Sequence, residues 1–133
     1  MRKKIGLYLL FFLIIIFDSC RGKGKWDDNI HLSIRYVEFS ASGDSITIKT
    51  LGSAWWIGDI SVDDKWYSGF ASIDQIHTEK YSIIKDCVDV KRLDKNTFTI
   101  KVEANPNTVN RIITVGLEAG DYGDRVTITQ KSK

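Results

Sequence analysis

From Leu32 to Gln130, apolar and polar side chains alternate in short runs cut by Gly, Asp, Asn and Ser. A strand turns successive side chains to opposite faces, so runs of this kind predict β-strands that each bury one face. Leu32, Ile34 and Tyr36 keep one parity, and Val37 and Phe39 keep the other. Ser42-Gly43-Asp44 is a turn, and alternation resumes through Ile46 and Ile48. Gly52 and Ser53 break it before Trp55-Trp56-Ile57.

Ile60 to Val62 and Lys65 to Tyr67 flank Asp63-Asp64, a hairpin pattern. Residues 68–80 hold no regular period. Tyr81 to Ile84 begins another strand, and Val88, Val90 and Leu93 mark the next. Asp94-Lys95-Asn96 turns that strand into Thr97 to Val102. Asn105-Pro106-Asn107 is a loop, with the only proline where no ladder N–H is required. Arg111 to Leu117 and Arg125 to Gln130 pair across Gly120 to Asp124. No long stretch keeps a helical apolar stripe. The pattern predicts an all-β domain over residues 31–133, a sandwich or barrel of about seven to eight short antiparallel strands.

The first 19 residues break this pattern. Arg2, Lys3 and Lys4 precede an apolar run from Ile5 to Phe17, and Asp18-Ser19-Cys20 follows. Basic, apolar, then small-residue cleavage region is the order of a signal peptide. The run has 13 residues, whereas a spanning helix needs roughly 20. Ser19-Cys20 resembles the lipoprotein cleavage pattern, so residues 1–19 are expected to be removed and Cys20 to be fatty-acylated. Ordinary secretion with Cys20 as an incidental thiol is the plainer alternative. Residues 20–30 then read as the lipidated Cys and a polar, glycine-bearing tether. The expected setting is the outer membrane or cell surface, through a lipid anchor.

Charge and composition change the picture little. The 19 basic residues slightly outnumber the 17 acidic ones, but the excess lies in the leader. No basic patch points to a nucleic-acid partner. With Cys20 lipidated, Cys87 has no disulfide partner and reads as a buried apolar thiol. His31 and His77 are isolated, and Asp63-Asp64 and Asp121…Asp124 lack the ligand spacing of a calcium loop. No catalytic constellation or cofactor motif is present, so neither an enzyme nor a cofactor is expected.

The C-terminal third resembles the BACON family of Bacteroidetes-associated β-sandwich domains. The matching residues are Ile100-x-Val102, Asn105, Arg111, Ile113, Val115 and the closing Val126-Thr-Ile128-Thr-Gln130, with Trp55-x-Ile57 earlier. The likeness runs from about residue 35 to 130. Two features depart from it: no proline follows Trp66, and residues 63–80 are longer than the family pattern. The resemblance implies an immunoglobulin-like sandwich in an outer-membrane or surface setting, with carbohydrate or mucin binding, or a spacer role.

Sugar binding needs exposed aromatic faces with polar rims. Trp55 and Trp56 point to opposite faces on a regular strand; the resemblance and the parity of Ile57 put Trp55 inside and Trp56 outside. Trp56 with Trp66 or Tyr67, rimmed by Asp59, Asp63 and Asp64, is the candidate glycan platform. Trp26 belongs with the tether, Tyr122 is a weaker candidate, and Arg111 is expected to make a structural bond. The alternative is a structural lipoprotein that docks an envelope protein through its exposed aromatics or a sheet edge.

Overall fold

The computed structural model describes residues 28–133; the leader, Cys20 and Trp26 lie outside the described residues. The described residues form the expected all-β sandwich, with nine strands where about seven to eight were expected. They are β1 (Tyr36–Phe39), β2 (Asp44–Lys49), β3 (Trp56–Val62), β4 (Lys65–Ser68), β5 (Tyr81–Lys85), β6 (Val88–Asp94), β7 (Thr97–Val102), β8 (Arg111–Ala119) and β9 (Tyr122–Gln130). One sheet runs β1-β9-β8-β3-β4 and the other β2-β7-β6-β5. Among the described residues, no helix is long and apolar enough to cross a membrane.

Local chemistry sets the hairpins. Asp63 and Asp86 adopt positive φ in the β3–β4 and β5–β6 turns, a conformation that Asp tolerates better than most residues. Gly120 does the same in the β8–β9 turn, which is tighter than the sequence suggested: β8 and β9 extend to Ala119 and Tyr122. Inward residues of both sheets, including Trp55, Ile60, Phe98, Ile100, Val115 and Ile128, fill one core. The irregular segment 69–80 adds two plugs to it, Phe70 from a single 3-10 turn and the fully buried Ile76.

Three expectations change. The first concerns the parity break at Tyr36–Val37. It marks a change of sheet: Leu32 bridges Thr50 beside β2, whereas β1 pairs with β9. The β1–β9 pair is parallel, in a sandwich expected to be antiparallel throughout. A crossing segment can arrive beside β9 in that direction because no hairpin joins the two strands.

The second concerns β6. Leu93 was the expected apolar position, but alternation from Val88 and Val90 puts Arg92 in the inward phase, and the ladder shifts register only after it, between Arg92 and Asp94. Arg92 is only 4% exposed and Leu93 is 37% exposed. The guanidinium is tolerated inside because carbonyl oxygens accept from it at five places and Trp55 covers it, as described below.

The third concerns the domain boundary, placed at residue 31. Ile30 is fully buried, and its carbonyl accepts from Gly52 N–H at 3.1 Å. A Cβ on Gly52 would lie 1.8 Å from the Asn29 carbonyl oxygen, so glycine permits this docking. Asp28 accepts from the Ile30 and His31 amides and pairs with Arg35. The domain therefore includes Asp28–Ile30, residues assigned to the tether on sequence.

The residues that carry the family likeness include a buried polar cluster. Arg111 donates to Gln130 Oε1 through Nε and Nη2 and also to the Glu103 carbonyl. Gln130 donates to the carbonyls of Ser40 and Glu103. Asn105 donates to the carbonyls of Val109 and Lys131. Buried polar groups need partners, and these side chains supply them to loop carbonyls at one end of the sandwich. Arg111 thus has the structural role expected of it.

Candidate functional site

Two surfaces gather the candidate residues: the outer face of the five-stranded sheet and a cleft at one end of the sandwich.

On the outer face, strand register sets one row crossing all five strands. Tyr36 lies opposite Thr127, Thr127 opposite Thr114, Thr114 opposite Ser61, and Ser61 opposite Trp66. Opposed residues share a face, and the neighbours Val126, Ile113, Ile60 and Ile128 point into the core. The row therefore carries an aromatic ring at each end, Tyr36 at 82% and Trp66 at 55% exposure. Between them lie three hydroxyls, of which Ser61 and Thr114 bond to each other at 2.5 Å. Four interstrand steps put the backbones that carry the two rings about 19 Å apart.

Beside this row, Asp59 opposes Gly116, and β3 bulges at Gly58. Each glycine makes room for a carboxylate from the neighbouring strand: Asp59 lies across Gly116, and Glu118 across Gly58. Burial pushes the Asp59 carboxyl above its ordinary pKa, against the pull of Arg125. Its Oδ1 has no hydrogen-bond partner among the described residues.

The predicted platform is only partly assembled. Trp56 and Trp66 share the outer face, but Trp56 stands five residues before Ser61, roughly 15 Å along the strand. Tyr67 does not join them. It opposes the inward Ile60, packs on the core, and reaches Asp86 with its hydroxyl at 3.5 Å. Asp63 is occupied in the turn, where its Oδ1 accepts from Ile112 N–H at 2.8 Å. Tyr36 was missed because its partner β9 lies some ninety residues away, and no local pattern shows a non-local register.

Trp56 belongs instead to the cleft, which holds about 350 Å³ between the 50–55, 69–80 and 94–96 loops. Half-buried Trp56 meets His77 edge-on, with ring centroids 5.3 Å apart. Glu79 and Lys95 stand at the lining, and Arg92 and Trp55 contribute the buried side. Arg92 Nη1 donates to the Trp55 and Thr78 carbonyls, Nη2 to those of Ser53 and Lys95, and Nε to that of Asp94. Its guanidinium carbon lies 3.8 Å from the Trp55 ring centre, a cation–π contact. Burial pushes the Arg92 pKa below its ordinary value. The sequence signalled none of His77, Glu79, Arg92 or Lys95 as neighbours of Trp56, since three separate loops bring them together.

Elsewhere, Cys87 is buried, and burial raises its thiol pKa, which disfavours the reactive thiolate. Among the described residues, no group of three or more His, Cys, Asp or Glu is placed to hold a metal.

No protein-family model matches the chain, and no curated protein does. One solved structure similar to it is an NMR structure of a protein from Bacteroides thetaiotaomicron, with a TM-score of 0.64. Sequence identity is 18%, over 84% of this chain and 94% of that one. At that identity the likeness establishes the sandwich fold alone.

Proposed function

We propose that this chain is a cell-envelope lipoprotein whose sandwich is a non-catalytic, BACON-like binding module for glycan chains. The supporting observation is the row from Tyr36 to Trp66. Two exposed rings on backbones about 19 Å apart can each stack on the C–H face of a sugar, and the hydroxyls of Thr127, Thr114 and Ser61 offer donors and acceptors between them. Stacking of this kind uses the electron-rich ring face and needs no catalytic group. The order of residues 2–20 supports the lipid anchor.

Glycan-array screening of the detergent-solubilised full chain tests the binding reading. Tyr36→Ala and Trp66→Ala should each weaken the best glycan hit at least tenfold without lowering the melting temperature. Binding indifferent to both changes would remove the sheet face from consideration. Labelled palmitate should enter the protein and be lost in Cys20→Ser.

A protein partner is the second reading. Ile112, 43% exposed, shares this outer face beside Thr129 and gives it an apolar side chain that a sugar does not need. An envelope protein crosslinked through a photoreactive group at position 112, with no glycan bound on the array, would favour it.

A further inference from the structure

A second site, independent of the sheet face, lies in the cleft at the end of the sandwich. A buried charge ordinarily has an opposite charge beside it. Arg92 has none in ion-pair contact: its donors go to carbonyl oxygens, and among the described residues it forms no ion pair within 4 Å, so Glu79 and Asp94 act on it only from a distance. Carbonyl dipoles satisfy the N–H groups but leave the net charge in place. Lys95, on the same lining, is likewise without an ion-pair partner among the described residues. Glu79 is the one carboxylate among the lining residues, and Asp94 and Lys49 line the adjoining groove, so Arg92, Lys95 and Lys49 outnumber the two carboxylates. A charge in a partly enclosed, low-dielectric site acts more strongly than one in open water.

The rest of the lining fits a small ring compound. Trp56 is half-exposed beside His77, giving a flat apolar surface next to an imidazole. The volume of about 350 Å³ lies at the lower end of the range for small-molecule sites. The groove continues past Glu79 and Lys95 toward Lys49, Asp94, Asn96 and Thr97, which leaves an outlet for a longer ligand.

We propose that this cleft binds an oxyanion (carboxylate or sulfate) carried on a sugar-sized ring, with the ring against Trp56 and the anion facing Lys95 and the field of Arg92. Arg92 acts through its charge, since its donors are already occupied. Lys95 is free to contact the anion directly.

The test is calorimetric titration of the detergent-solubilised full chain with methyl glucuronide, glucose 6-sulfate and the neutral methyl glucoside. Both anions should bind at least tenfold more tightly than the neutral glycoside. Lys95→Gln should remove most of that preference while the melting temperature holds, and Lys91→Gln, on the outer face of β6, should leave it intact. Arg92 variants are unsuitable because they are expected to unfold the end loops. Equal affinity for charged and neutral rings, or no anion binding, overturns the proposal, as does a preference that survives Lys95→Gln. Trp66→Ala separates the two sites: anion binding unchanged by it supports a distinct cleft, and anion binding abolished by it assigns the anion to the sheet face and sinks this inference. Glycan binding that depends on Trp66 without any anion preference leaves the sheet-face reading standing and this one refuted.

Discussion

At the residue scale, Arg92 and Leu93 exchange the roles their side chains suggest. The charged one lies inside, donating to five carbonyls across three loops, and the apolar one lies on a bulge. Arg92→Leu should therefore destabilise by about 3 kcal/mol, because it leaves buried carbonyls unsatisfied. Leu93→Lys should stay within about 0.5 kcal/mol, as for an ordinary surface change. Urea denaturation of both variants checks the contrast. Asp59 gives a second residue-scale prediction. Its folded-state pKa is raised, so the folded state favours the protonated carboxyl. The stabilising effect of that preference is full below the unfolded pKa and is lost as pH rises through the folded one. Asp59→Asn should accordingly raise the melting temperature at pH 7 and change little near pH 3. The gain is expected to be about 1 kcal/mol or less, since solvent still screens much of the group. A variant no more stable at pH 7 than the parent would refute it.

Among the elements, the segment of residues 69–80 has the least regular structure of the connections, yet it supplies Phe70 and Ile76 to the core. Ile76→Ala should cost about 2–4 kcal/mol, as a core position in a strand would, and chemical denaturation measures it. This segment also shows where sequence reading stops. Hairpins were legible because their evidence is local: alternation on both sides of Asp63-Asp64, of Asp94-Lys95-Asn96 and of Gly120. Trp55 was placed correctly inside by the family resemblance together with the parity of Ile57. Pairing between distant strands leaves no such mark. The β1–β9 ladder, the row it completes from Tyr36 to Trp66, and the three-loop cleft around Trp56 all depend on long-range register. The bulge at Gly58 shifts parity along β3, whereas in β6 unbroken alternation from Val88 and Val90 turns Arg92 inward and the bulge follows it, leaving Leu93 outside. Tyr67 was misplaced for a related reason: an edge strand of four residues has too short a pattern to fix its face.

For the molecule as a whole, the two sheets are held together at the end where the chain enters. Gly52 accepts the close approach of Asn29, and Ile30 is sealed into the core. Gly52→Ala should expel that segment, exposing Ile30 at a cost of about 2–3 kcal/mol. Hydrogen exchange should then rise at the Gly52 amide, which donates to Ile30, and at Ser33, while the β8–β9 hairpin stays protected.

Under the proposed lipid anchor at Cys20, the docking of Ile30 beside Gly52 would also set the attitude of the protein at a membrane. Eight peptide steps separate Cys20 from Asp28, so a leash starting at Cys20 reaches about 28 Å at full stretch. The 50–55 loop of the cleft is bonded to the entry point of the chain through Gly52 and Ile30, so the proposed anchor would keep that side of the cleft near the bilayer. The strands rise away from that point. The Tyr36–Trp66 row crosses the strands, so with the strands upright on the proposed anchor, the proposed glycan would run lengthwise along the membrane rather than end-on.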